Sequence, residues 1–333
     1  MTLTAGSLFS GMGGFTSGLR AAGFDLLWAN DNDPHACAAF RLNFPGLPVF
    51  EKDVRDFSVE GDGLAPVDVL AAAFPCQSFS QAGDRRGFDD PRGALFFEIP
   101  RLLQGWAEEQ RPKIVILENV PHLAQGADGA WFDTVRKELR RAGYWFRESS
   151  CWTVNVKDAT ELPQDRERLF MVAASRHHFT YNPFEPPVAT AEGRLPLKQI
   201  VDRSTPADTA AYLPADNRYY RMIEREMKQG ESLDNIYQLR RSYVREKKGG
   251  LCPTLTANMG IGGHNVPFVR DEWGIRRLSV REVGMLQGFG DVDFPPDMPE
   301  AEQYRLLGNA VCVELARLVG EACAAALGEQ DSE

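Results

Sequence analysis

An α/β domain on a doubly wound, mixed but mostly parallel sheet, joined to a smaller loop-rich domain, is the fold this sequence predicts. Short apolar runs alternate with helix-period segments over residues 1–176, and a glycine-rich turn directly follows the first apolar run. After Arg176 the texture changes to Pro, Ala and polar residues without a clear period, which marks a boundary. A length of 333 residues exceeds the usual single-domain size and also favours two domains.

Strands are expected near 3–9, 24–30, 67–74, 113–120 and 168–175, each a short apolar run bounded by turn-prone residues. Helices are expected near 15–22, 34–43, 94–110 and 130–142; in the last, Trp131, Val135 and Leu139 recur four apart, as one buried face requires. From 299 onward helical spacing returns, with Val311, Leu315, Leu318 and Val319 on one side, and this helix should pack back on the sheet. The expected domains are therefore 1–176 plus 300–328, and 177–299.

Apolar content of 43% and charged content of 25% are ordinary for a globular protein and exclude disorder and fibrous structure. No apolar run approaches the roughly 18 residues that span a bilayer, and "MTLTAGSLFSGMGG" lacks the basic flank of a signal peptide, so a cytoplasmic protein is expected. The six cysteines form no C-x-x-C pair, so neither a metal site nor a disulfide framework is expected. A net charge of −10 argues against coating nucleic acid by bulk charge, yet Arg218–Lys248 carries nine cations against five acids. Basic character is concentrated in that segment.

In "SLFSGMGGFTSGLRAAGF" a strand, a glycine-rich turn and a helix follow one another, a geometry that brings backbone amides close to a ligand. Thr16 stands where a dinucleotide fingerprint would place its third glycine, so a nicotinamide site fits poorly. Asp31, twenty residues past Gly11, closes the second strand where a carboxylate can bond ribose hydroxyls, and Asp53 offers a second acceptor. A nucleoside-containing cofactor is favoured over the alternative of ordinary turns and strand ends.

"FPCQSFSQAG" puts Cys76 just past a buried run, where open α/β sheets keep their chemistry. Cysteine is a strong nucleophile at neutral pH when part of it is thiolate, although a lone cysteine is more often a small buried hydrophobe, as Cys37, Cys312 and Cys323 read here. "KIVILENV" ends an adjacent run on Glu118, a carboxylate either solvated or held for use; burial beside the cleft would favour its protonated, proton-donating form. "PQDRERLF" sets Gln164, Arg166 and Arg168 at alternate positions, which predicts one shared face suited to an anion or base oxygen, or an ion-pair network.

Together these segments resemble the DNA (cytosine-5)-methyltransferase family of the bacterial restriction-modification type, in that family's order. They are "LFSGMGGF", "FPCQSFS", "ENV", "QDRER", "RRLSVREVGMLQGFG" and "YRLLGNAV", running from residue 7 to about 320. The chain departs from the family pattern at Asp31, where glutamate is usual, at Asn32, Ala73 and Ser279.

The resemblance implies the methyltransferase fold, S-adenosylmethionine as cofactor, and a cytosine extruded from double-stranded DNA. It implies that Cys76 attacks carbon 6, that Glu118 holds or protonates nitrogen 3, that Arg168 bonds the base oxygen and that Arg166 supports the glutamate or backbone. Phe9, Met12, Gly13, Asp31, Asn32, Asp53, Val54, Pro75, Leu95, Asn309 and Val311 would surround the cofactor. Gln77, Ser80, Arg85, Arg86, Asn119 and Gln164 would contact substrate, with Arg92 also available to phosphates, and 177–299 would recognise the target through "CPTLTANMGIGGHNVPF". A monomer acting in the cytoplasm on the nucleoid, with a cognate restriction endonuclease as functional partner, completes the expectation. The competing readings are an RNA (tRNA) cytosine-5 methyltransferase of the same fold, a non-catalytic DNA-binding module and a nicotinamide oxidoreductase.

Overall fold

The computed structural model describes residues 2–80, 86–188, 193–260 and 265–328. The chain divides into two compact units, one of Met1–Val154, Glu167–Val188 and Val313–Glu333, the other of Asn155–Arg166 and Ala189–Cys312. Sequence texture draws divisions at 176/177 and 299/300, whereas contacts group 155–166 and 300–312 with the second unit.

The strands, in chain order, are β1 (Thr4–Leu8), β2 (Asp25–Asp31), β3 (Val49–Glu51), β4 (Val69–Ala72), β5 (Ile114–Asn119), β6 (Tyr144–Trp145), β7 (Cys151–Asn155), β8 (Gln164–Asp165) and β9 (Glu167–Ser175). The first unit's sheet runs β3-β2-β1-β4-β5-β9-β6, with β7 also on β9. Neighbours from β3 to β5 are parallel, while β9 lies antiparallel to β5 and β6, which makes the sheet mixed but mostly parallel. β4 and β5 are buried at every residue, as the covered centre of such a sheet demands, and their continuous apolar runs are what made them visible in the sequence.

Helix Gly14–Ala21 follows the glycine turn, and helix Pro34–Asn43 starts on Asp33, whose carboxylate accepts from the His35 and Ala36 amides with Pro34 in the first turn. Helix Ala130–Arg141 buries Phe132, Val135 and Leu139. The single helix expected over 94–110 is instead a helix at Glu98–Leu103 flanked by 3-10 turns at Leu95–Phe97 and Glu108–Gln110. Pro100 is tolerated there because it falls in the first turn, and the helix stops before Gly105.

The helical spacing after 299 resolves into two helices, Glu300–Asn309 in the second unit and Val313–Gly328 in the first. The latter lies tightly on Gly14–Ala21: a Cβ on Gly18 would stand 2.4 Å from that of Ala316, and one on Gly320 would stand 2.9 Å from that of Ala22.

In the second unit, β10 (Ile236–Leu239), β11 (Val244–Lys247), β12 (Cys252–Pro253), β13 (Val266–Arg270) and β14 (Ile275–Arg277) stand between long irregular stretches. Four of them form an antiparallel sheet β11-β10-β13-β14, and β12 pairs in parallel with β8. Helix Arg218–Gln229 lays Ile223 and Met227 against Tyr237, Leu239, Val266 and Phe268. Ser279 caps helix Val280–Leu286 in a capping box with Glu282, whose carboxylate also holds the buried Arg276 at 2.9 Å. Among the described residues no helix is long and apolar enough to cross a membrane.

Candidate active site

The turn after β1 is shaped by left-handed backbone at Phe9, Gly11 and Gly13, with φ of 53°, 55° and 102°. Gly13 could not carry a side chain, since a Cβ would lie 2.2 Å from the Phe44 ring, whereas one on Gly11 would meet nothing within 4 Å. The Asp31 carboxylate ties the turn to the end of β2 by accepting from the Gly11 amide at 2.7 Å and the Asp33 amide at 3.0 Å. Burial pushes the Asp31 carboxyl's pKa up, and those two amides oppose it.

Asp53 receives a fork from Arg55, 2.9 Å from Nε and 2.6 Å from Nη2, which holds its carboxyl down to about 2; the Asn32 side chain adds a further bond. A carboxylate has about four acceptor sites; the Arg55 amide, its Nε and Nη2, and Asn32 fill those of Asp53, so it is Asp31, beside the open face of Gly11, that keeps capacity for a nucleoside hydroxyl. This donor set fits an adenosyl cofactor. Met12 and Val54 are buried and Pro75 and Leu95 half-buried in this unit, while Asn309, exposed, and Val311, buried, belong to the second unit.

Ala72 of β4 pairs with Leu117 of β5, so the chain leaves β4 toward Cys76 beside the position where β5 presents Glu118. Cys76, half-buried and outside any disulfide, opens a turn closed by the Phe79 amide on its carbonyl at 3.0 Å. Phe74 and Phe79 anchor the two sides of that turn in an aromatic cluster with Phe88 and Phe96. Glu118 is 6% exposed, and the Arg168 Nε donates to its Oε1 at 2.8 Å, compensating the buried carboxylate.

The alternation that predicted one face for Gln164, Arg166 and Arg168 fails, because β8 ends at Asp165 and β9 begins at Glu167, which leaves Arg166 in the break. Arg168 meets Glu118 in the first unit. Arg166, 1% exposed, donates instead to the Leu255, Gly308 and Ala310 carbonyls of the second unit at 2.8, 3.3 and 2.9 Å. These bonds hold Arg166 inside the second unit. Of the two alternatives expected for Arg166, glutamate or backbone, it bonds backbone, while the glutamate is met by Arg168.

Two expected substrate contacts, Gln164 and Asn119, have their polar groups engaged inside the protein, and a third, Arg92, is exposed and paired with a neighbour. Fully buried Gln164 donates to the Leu286 carbonyl and the Gln287 side chain and accepts from the Leu255 amide. Fully buried Asn119 donates to the Phe74 carbonyl at 3.1 Å and accepts from the Val120 amide, which ties β5 to the segment before Cys76. Arg92 forms a two-pronged pair with Asp90, whose carboxyl that pairing holds well below the usual carboxylate range. Gln77 and Ser80 are half-buried and Arg86 is exposed. Arg85 and most of the glycine run after Met259 lie outside the described residues.

The family model described as C-5 cytosine-specific DNA methylase matches residues 3–325. The chain is 36% identical over 325 residues to Type II methyltransferase M.Bsp6I of Bacillus sp. (strain RFL6), covering 96% of this chain and 98% of that one. It is 31% identical over 339 residues to Type II methyltransferase M.Eco47II of Escherichia coli, covering 94% and 77%. Among solved structures, the Entamoeba histolytica methyltransferase EhMeth superposes with a TM-score of 0.73 at 17% identity, covering 98% of this chain and 99% of that one.

Proposed function

This chain belongs to the C-5 cytosine-specific DNA methylase family, and on that basis we propose which of its residues carry out the transfer of a methyl group to carbon 5 of cytosine. The observation that carries the assignment is the 2.8 Å pairing of Arg168 with Glu118 at the end of β5, next to the strand whose exit bears Cys76.

In the proposed reaction the Cys76 thiolate adds to carbon 6 of a flipped-out cytosine while Glu118 holds the proton at nitrogen 3. Electron density then moves to carbon 5 instead of building as charge on the ring. Arg168 keeps the Glu118 carboxyl oriented and has donors left for the base oxygen. S-adenosylmethionine, when bound, supplies an activated electrophilic methyl group, and the turn from Phe9 to Gly13 with Asp31, Asn32 and Asp53 would hold it. After carbon 5 is alkylated, transfer of its proton to solvent and cleavage of the bond between sulfur and carbon 6 return the thiolate.

The second unit is proposed to recognise a specific short double-stranded sequence, a reading supported by the basic excess of Arg218–Lys248. The Type II designation of its relatives is consistent with functional pairing to a restriction endonuclease, and the proposed enzyme is a monomer working on the nucleoid. Single-base mapping of 5-methylcytosine in plasmid DNA from cells expressing the protein tests the whole reading. One recurring methylated sequence, absent with Cys76→Ala, is expected; methylation that survives Cys76→Ala overturns the assigned nucleophile.

A further inference from the structure

Trp131, the first large residue of helix Ala130–Arg141, touches both arms of the proposed site. A Cβ on Gly87 would lie 2.1 Å from its Nε1 and one on Gly126 would lie 2.1 Å from its Cζ3, so two glycine backbones abut the indole directly. Its ring meets Phe79 edge-on at 5.4 Å and 83° and His122 at 5.9 Å and 89°. Phe79 and Gly87 belong to the Cys76 arm: the Phe79 amide bonds the Cys76 carbonyl and the Gly87 amide bonds the Ser78 carbonyl, each at 3.0 Å. His122 and Gly126 belong to the segment that leaves Glu118, where the Leu123 amide bonds the Val120 carbonyl at 3.0 Å. Phe79 and His122 make ring contacts with Trp131 and none with each other.

Building on the roles assigned above to Cys76 and Glu118, we propose that Trp131 is a positioning residue whose indole braces the thiol turn against the segment after the glutamate. The physical reason is that an edge-to-face contact fixes ring angle as well as separation. Close approach by glycine removes the flexible side chains that would otherwise cushion a shift. A displacement of about 1 Å between reacting groups costs on the order of 10²-fold in rate, which sets the size of the effect.

The test measures the rate at which duplex DNA containing 5-fluorocytosine and S-adenosylmethionine gives a covalent complex that survives denaturation. Trp131→Ala should slow trapping about 100-fold while the Kd for S-adenosylhomocysteine stays within about threefold, and Trp131→Phe should restore most of the rate by keeping an aromatic edge. Phe79→Leu and His122→Ala should each slow trapping and combine less than multiplicatively, since both act through one ring. This cycle also decides the matter if Trp131→Ala does not fold. Trapping by Trp131→Ala within threefold of wild type overturns the brace, as does a loss matched by cofactor affinity and Tm, or a pair of effects that simply multiply. A wild-type enzyme that methylates DNA without forming the trapped complex overturns the Cys76 assignment itself, and the brace with it.

Discussion

In the second unit the guanidinium of Arg166 is held among three carbonyl oxygens from distant parts of the sequence; two residues on, in the first unit, that of Arg168 meets the Glu118 carboxylate at a strand end and the carbonyl of its neighbour Glu167. Both arginines come from one five-residue stretch, and both are largely buried. What separates them is the partner. Carbonyls from Leu255, Gly308 and Ala310 take three bonds from Arg166 and tie it to two distant segments of the chain, whereas Glu118 and Glu167 leave Arg168 with donors for a third party. On the proposed reading, the arginine held by distant carbonyls serves the fold, and the one paired with a strand-end carboxylate serves the chemistry.

The largest expected effect tests the first half of that contrast. Arg166→Ala strands three buried carbonyls and should lower the unfolding free energy by about 3–5 kcal/mol in urea titration. Arg166→Lys should recover little of it, because an ammonium cannot reproduce the fork. If Arg166→Ala unfolds at the wild-type urea midpoint, the structural role is wrong.

Arg168→Lys, which keeps a cation beside the buried Glu118 carboxylate but loses the fork, should do the opposite, cutting methyl transfer about 100-fold, or ~2.7 kcal/mol of barrier, while stability falls by no more than ~1 kcal/mol. Equal damage to stability from both arginines would erase the distinction. Asn119→Ala sits between the two and should cost about 1–2 kcal/mol of stability and roughly tenfold in rate, since its amide ties β5 to the Phe74 carbonyl ahead of Cys76.

The smallest effect concerns acid. Burial pushes the Asp165 carboxyl up, but hydrogen bonds from Lys247 and Asn155 overcome this and bring it down to about 2. A folded-state value below the unfolded one means stability present above roughly pH 4 and lost as pH falls toward 2. Solvent screening limits the contribution to about 1 kcal/mol. Asp165→Asn should flatten the pH dependence of the urea midpoint across that window; an unchanged slope would assign the acid sensitivity elsewhere.

The parts of the site legible in the sequence were those fixed by unbroken local patterns. Apolar runs located β4 and β5, so the strand-end positions of Cys76 and Glu118 followed from counting along the chain. The fates of Arg166 and Arg168 were not legible, because alternation presumes a continuous strand and the break at Arg166 is set by pairing of β8 with β12, nearly ninety residues on. Asn119 was expected at the substrate through the family resemblance alone; the carbonyl it bonds is 45 residues away and leaves no mark in "ENV". The interrupted helix over 94–110 did leave its marks, Pro100 and Gly105, one in the first turn and one just past the end of Glu98–Leu103.

Residues 155–166 leave the first unit's chain path and return to it, and they carry Gln164 and Arg166 into the second unit. This has a consequence for how such proteins can exchange parts. A recombination event that replaces residues 189–312 leaves those two side chains behind, still requiring carbonyls where Leu255, Leu286, Gly308 and Ala310 now supply them. A donor segment is free to vary its exposed loops but must arrive with these backbone positions in place. Two resident side chains thus act as a compatibility check on any imported half, and hybrids that fail it should be lost as unfolded chains before their sequence preference is ever expressed.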